Sequence, residues 1–270
     1  MQDKKKKILY FLLILAISIL LVIFGSADLI ISKKLYGDFP QFARFFEIFG
    51  YLPSCALICG MSAIGFCTNQ TASTPVFKIL GYLFFPLFSI CGFVFAAYVL
   101  CGEIWNANPP FFAVLAIVVL LTAILFLLVN KIPKQRLIVY RKGVIAAIFA
   151  LLLLLLSVEL LKNLFGRVRF RDMTEPFSQF TPWYIINGPT SHKSFPSGHT
   201  ANAAAVLSLT LTAQKKRTRQ WLWGLGICYT LVMAISRIVA GAHFASDVLA
   251  GGLIGIGCVL LSRKLFHLPS

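Results

Sequence analysis

About eight apolar runs, each close to the roughly 20 residues needed to cross a bilayer, restrict this chain to a solvent that tolerates them. They cover residues 8–25, 49–67, 79–100, 111–130, 143–163, 198–213, 221–240 and 246–262. The sixth and eighth are short, and the seventh contains Arg237 near its end. Of the 270 residues, 59% are hydrophobic and 13% are charged. A soluble domain of this size needs far more charge on its surface. The expected fold is therefore all-α, a polytopic transmembrane helical bundle of about eight spanning helices. No internal repeat, low-complexity tract or soluble domain interrupts it, so 1–270 reads as one integral membrane domain. The first run follows Lys4–Lys7, as in a signal peptide, but no small-residue cleavage site follows it, and it reads as an anchor.

The formal net charge of +16 would suggest nucleic acid in a soluble protein. Here the positions of the charges point elsewhere, because membrane proteins concentrate Lys and Arg in cytoplasmic loops. With the N-terminus inside, the inner segments hold Lys4–Lys7, Lys78, Lys131, Lys134, Arg136, Arg141, Lys142, Lys215, Lys216, Arg217, Arg219, Arg263 and Lys264. Most of the basic residues are thus accounted for, and both termini fall in the cytoplasm. Nucleic acid is not an expected partner; membrane lipids are. The seven cysteines lie in or beside apolar runs without metal-ligand spacing and read as small core hydrophobes.

The cations left on the outer side are the informative ones. Lys33, Lys34 and Arg44 follow the first run and read as ordinary surface, whereas Lys162, Arg167, Arg169, Arg171, Lys193 and Arg237 lie at outer helix ends and in the connecting loop. Basic residues are disfavoured there, and a polyanionic ligand would explain them. Binding of lipid headgroups without chemistry would do so equally well.

Three segments on that side have the composition of a phosphoryl-transfer site. Pro196-Ser197-Gly198-His199 precedes an apolar run and reads as a helix N-terminus, where free amides and the helix dipole attract anions. Ser197 can add a hydroxyl, and His199 stands at the mouth, able to protonate a leaving oxygen. Farther on, His243 and Asp247 are four apart, one helical turn, so a carboxylate can orient an imidazole and stabilise its cation. Gly241 eases the turn before them, and Ser246 is an alternative cap for the last helix. Upstream, Lys162 and Arg169 flank Gly166, where the helix should end and the chain fold Arg169 back. Glu159 lies one turn before Lys162 and can pair with it. Phosphoryl transfer needs cations and amides around the equatorial oxygens, a nucleophile and an acid. The outer acids Asp172 and Glu175 do not match a two-metal site, so metal-independent chemistry without a cofactor is expected.

These segments resemble the type-2 phosphatidic acid phosphatase superfamily. Its signature is Lys, six residues, Arg-Pro; then Pro-Ser-Gly-His; then Ser-Arg, five residues, His, three residues, Asp. The second and third motifs match in full. The first matches at Lys162 and Arg169 but has Phe170 in place of proline. The resemblance implies that His243 is a nucleophile forming a phosphohistidine, oriented by Asp247, and that His199 protonates the leaving group. Lys162, Arg169, Arg237, Ser197 and the Gly198 amide would hold the phosphate. Arg167, Arg171 and Lys193 fall outside the signature and are possible headgroup contacts; His192 and His267 are not catalytic. The implied organisation is a six-helix phosphatase core in the C-terminal part, 78–270, with its active-site loop at 164–197, preceded by an accessory helix pair at 1–77.

The expected activity is hydrolysis of a lipid phosphomonoester or pyrophosphate at the non-cytoplasmic face of a plasma membrane. Phosphatidate, phosphatidylglycerol phosphate and polyprenyl pyrophosphate are the candidates. Transfer of the phosphate to another acceptor, and non-catalytic binding or transport of anionic lipids, are the competing readings.

Overall fold

The computed structural model of the chain describes residues 2–105 and 108–269. The side chains of Lys4–Lys7, expected to anchor the N-terminus inside, lie outside the described residues. Among the described residues every regular element is helical. In order these are α1 (Gln2–Leu35), α2 (Pro40–Phe49), α3 (Leu52–Cys67), α4 (Pro75–Trp105), α5 (Phe111–Asn130), α6 (Lys134–Ile138), α7 (Arg141–Phe165), α8 (Gly198–Ala205), α9 (Lys216–Val239) and α10 (Ala245–Leu265).

Among the described residues, seven helical segments are long and apolar enough to cross a membrane. The chain is a multi-pass membrane protein. The predicted segment 198–213 departs from the others. It is α8 followed by a 3-10 helix over Val206–Leu211, and most of its side chains are buried inside the bundle. Apolar residues on the outer helices face outward instead, Leu156 and Leu160 on α7 and Ile117 and Leu120 on α5 among them. That outward face suits lipid, which has no hydrophobic reason to drive it inside.

Helix packing at the centre relies on small residues. On α7, Gly143, Ala146, Ala147 and Ala150 are buried, and on α8 Ala201, Ala203, Ala204 and Ala205. A Cβ on Gly251 of α10 would stand 2.4 Å from the Ser197 carbonyl oxygen, so only glycine lets α10 approach the start of α8 this closely. Of the cysteines, Cys55, Cys59, Cys67 and Cys258 are buried as expected, whereas Cys91 and Cys228 face outward from α4 and α9.

The bundle has two chemically different ends. The basic segments meet at one: Lys142 and Arg219 line a shared cleft with His267, Gln214 bonds the Val139 carbonyl, and Arg263 bonds Thr210. At the other end lie the C-termini of α7 and α9, the starts of α8 and α10, and the 166–197 loop. That loop is held down by its own anchors. Trp183 donates to the Leu21 carbonyl of α1 and stacks on Phe195.

Candidate active site

Helix α7 ends at Phe165, and Gly166 follows with φ 48°, as the sequence predicts. The chain then turns back so that the Arg169 charge acts on His243, Lys162 and Tyr51. Phe170, in the position of the family proline, is buried in an aromatic cluster: Tyr36, just past the end of α1, at 5.3 Å, Phe177 at 5.3 Å and Phe244 at 6.3 Å. A proline would restrict the backbone through its ring. Here tertiary packing of a large side chain fixes the same turn. The Arg171 amide donates to the carbonyl of Gly241, whose φ of 61° suits the residue chosen there.

Ser197 is the N-cap of α8. Its hydroxyl oxygen accepts the Thr200 amide at 3.3 Å and pairs with the Thr200 hydroxyl at 3.0 Å. Its own amide donates to the Asp247 carbonyl, tying α8 to α10. Lys162 reaches this helix start: its Nζ lies 3.0 Å from the point where a Cβ on Gly198 would stand. It also keeps the expected partner Glu159, at 3.5 Å.

The two histidines occupy different environments. His243 is 4% exposed, and its Nδ1 lies 2.6 Å from the Ser194 carbonyl oxygen. A carbonyl only accepts, so Nδ1 carries the proton and Nε2 presents its lone pair. The Asp247 carboxylate stands 3.8 Å from Nδ1, beyond hydrogen-bonding range, and acts on the ring through its charge. Its Oδ2 instead accepts the Ser194 hydroxyl at 2.6 Å and the Phe244 amide at 2.9 Å. Asp247 thus holds the residue whose carbonyl holds the imidazole. Burial pushes the His243 pKa below its ordinary value; Asp247 opposes that shift, while Arg169 and Lys162 add to it. The His199 ring packs tilted at 45° against Tyr51, with ring centroids 4.2 Å apart, and the Tyr51 hydroxyl meets its Nδ1 at 3.2 Å.

Arg237 is fully buried. Its Nη2 donates to the Ala43 carbonyl of α2 at 2.6 Å and its Nε to Ser236 at 3.2 Å. Three buried nitrogens at this end, Arg169 Nε, His199 Nε2 and Arg237 Nη1, have no hydrogen-bond partner. Unpaired buried donors are costly, and their grouping among cations is what an anion-binding site requires.

Two sequence expectations change. Arg167 is not available to a headgroup: it is 1% exposed, and its guanidinium is clamped between Asp28 at 2.9 Å and Asp247 at 2.6 Å. Ser246 does not cap α10, because its hydroxyl is bonded to Asp28 and Arg167; the N-cap is Phe244. Arg171 and Lys193 pair with Glu47 and Glu159 at 3.0 and 3.8 Å, and His192 is a half-buried loop residue. Sequence reasoning passed over Asp28, Glu47, Tyr51 and Ser194. For Asp28 a signal existed, a carboxylate embedded in an apolar stretch, which requires a partner.

Residues 143–268 match the PAP2 superfamily, a stretch that contains all three motifs. They form a PAP2 superfamily domain. Over 91 residues the chain is 33% identical to an undecaprenyl-diphosphatase of Sulfolobus acidocaldarius, covering 33% of this chain and 42% of that protein. Over 67 residues it is 42% identical to a lipid A 1-phosphatase of Porphyromonas gingivalis, covering 25% of this chain and 15% of the relative. Over 112 residues it is 30% identical to a lipid A 1-phosphatase of Rhizobium johnstonii, covering 41% and 43% of the two chains. The chain thus matches less than half the length of each of these relatives. No solved structure matches it. The PAP2 domain takes in α7 to α10 almost entirely; α1 to α6 precede it and supply Asp28, Glu47 and Tyr51 to its site.

Proposed function

We propose that this protein is a lipid phosphatase that hydrolyses phosphomonoesters or pyrophosphates of membrane lipids through a phosphohistidine on His243, without a metal. Phosphatidate, phosphatidylglycerol phosphate and polyprenyl pyrophosphate are the substrate candidates. The observation that carries the reading is the His243 hydrogen bond to the Ser194 carbonyl, which leaves Nε2 as a lone-pair donor among Lys162, Arg169 and Arg237.

In the proposed reaction the three cations and the first amides of α8 hold the equatorial phosphoryl oxygens. His243 Nε2 attacks phosphorus in line. The bond to the leaving oxygen breaks, and His199 supplies the proton that oxygen takes up. Water then attacks the phosphohistidine, His199 accepts its proton, and inorganic phosphate leaves with His243 restored to its neutral form. Positive charge on the ring during the attack is favoured by Asp247. The donor set supports the metal-free route: cations line the site, and no group of three or more His, Cys, Asp or Glu side chains suited to a metal occurs among the described residues. The same reading places the site on the non-cytoplasmic face, because the basic segments gather at the opposite end. With the buried 198–213 segment counted as an eighth crossing, running from the site end to the basic end, both termini are then cytoplasmic, in a plasma membrane.

The test is phosphate release from a panel of lipid phosphates in detergent with chelator present. Release should persist in chelator and vanish in His243→Ala. Release that needs added metal, or that survives His243→Ala, would sink the proposed mechanism.

A further inference from the structure

We propose that Asp28, on the N-terminal helix outside the PAP2 domain, is a positioning residue for His243 and supplies the surplus negative charge that its reaction needs. This inference rests on the reading of His243 as the nucleophile.

The connection is a continuous chain of buried hydrogen bonds. Asp28 Oδ1 accepts the Ser246 amide at 2.9 Å, and Oδ2 accepts Arg167 Nη2 at 2.9 Å. The Ser246 hydroxyl accepts from Arg167 Nη1 at 3.0 Å, so its own proton points to Asp28 Oδ2. Arg167 Nη1 also donates to Asp247 Oδ1 at 2.6 Å. Asp247 Oδ2 accepts the Ser194 hydroxyl, and the Ser194 carbonyl accepts His243 Nδ1. Asp28, Ser194, Ser246 and Asp247 are each 0% exposed and Arg167 is 1% exposed, so water does not substitute for any link.

Charge explains why one carboxylate is not enough. Arg167 with Asp247 alone would be a neutral pair, offering the imidazole little. Two carboxylates around one guanidinium carry one net negative charge, shielded from solvent. The His243 ring gains positive charge as Nε2 bonds to phosphorus, and a buried negative cluster behind it favours that change. Arg169 from the loop and Lys162 from α7 oppose positive charge on the His243 ring, and Arg237 and Lys162 do the same at the neighbouring His199. Asp247 and Asp28 are the counterweight. Asp28 also fixes the orientation of Arg167, which lies 4.1 Å over the ring of Phe244, the residue next to His243.

The experiment compares the full-length natural protein with Asp28→Asn in detergent. It reads phosphate release and, separately, acylation of His243 by diethyl pyrocarbonate, followed by mass spectrometry of the peptide holding that residue. Acylation reports the nucleophilicity of Nε2 whatever the natural substrate. Carboxylates behind a functional imidazole in metal sites are worth about 10–100-fold. Accordingly kcat should fall at least about tenfold with KM within about twofold, and His243 acylation should slow to a similar degree. Unchanged acylation and turnover would overturn the proposal, as would losses that only track the folded fraction. If the natural protein releases no phosphate from any lipid, the phosphatase reading fails. Slower acylation in Asp28→Asn would still uphold the positioning role, and unchanged acylation would end both. Should Asp28→Asn not fold, Ser246→Ala removes a link and keeps every charge. Its acylation rate should drop about threefold on the loss of one buried hydrogen bond, and a natural rate would refute the link.

Discussion

Arg167 is the residue whose loss should most disturb this protein outside the cations proposed to bind phosphate. It makes hydrogen bonds to Asp28, Asp247, Ser246 and the Thr181 carbonyl from a fully enclosed position. Arg167→Met keeps much of the volume but leaves two carboxylates, each 0% exposed, with no countercharge between them. Removing one partner of a buried ion pair costs about 3–5 kcal/mol, because the remaining charge stays desolvated. At about 2–4 °C per kcal/mol for a large domain, melting should fall by about 6–20 °C. Thermal unfolding in detergent at pH 8, read by tryptophan fluorescence, measures this. A second variant separates charge from packing. Asp28→Leu added to Arg167→Met removes one stranded carboxylate, so the double variant should melt above the single one, a coupling that independent sites would not show. A melting temperature within about 2 °C of the natural protein for Arg167→Met would refute the reasoning. So would a double variant no more stable than the single.

Two further outcomes follow from the site. Burial holds the His243 pKa below the ordinary histidine value of about 6.5, so the neutral ring should persist to lower pH and the midpoint of His243 acylation against pH should lie clearly below 6.5. The stability contribution has the matching sign: it is complete above about pH 6.5 and is lost below it, as the unfolded chain takes up the proton that the folded one resists; an acylation midpoint at or above 6.5 would contradict this. Phe170→Ala should lower stability by about 3–5 kcal/mol and raise KM for the lipid phosphate, since it removes the aromatic anchor beside Arg169; melting and KM both unchanged would show that the turn is fixed by something else.

How much of this was legible beforehand differs from residue to residue. Apolar run length marked the spanning segments, because exposure to lipid is decided locally, by composition over one helix. The motif residues around His199 and His243 were legible for a similar reason: a cap, a turn and an i,i+4 pair are short-range arrangements. The first span, however, was expected to end at residue 25, whereas α1 continues to Leu35. That boundary left Asp28 just beyond the predicted segment and hid it as a buried intramembrane charge. Tyr51 was equally invisible, since nothing within one turn of it suggests a histidine 148 positions away. Phe170 stood out only as a departure from a motif, and its compensation by Tyr36 and Phe244 depends on chain segments far from it.

The sequence by itself determined that this chain lives in a membrane as a helical bundle and that it carries the chemical groups for phosphoryl transfer. Periodicity, hydropathy and short motifs act over a few residues, and those distances can be read along a chain. Only the tertiary structure decided that Nδ1 of His243 is held by the Ser194 carbonyl rather than by Asp247, that Arg167 faces inward, and that the N-terminal helix contributes Asp28 to the site. Buried charges are paired by whichever groups the packed helices bring within 3 Å or so, and that choice is made by the fold as a whole.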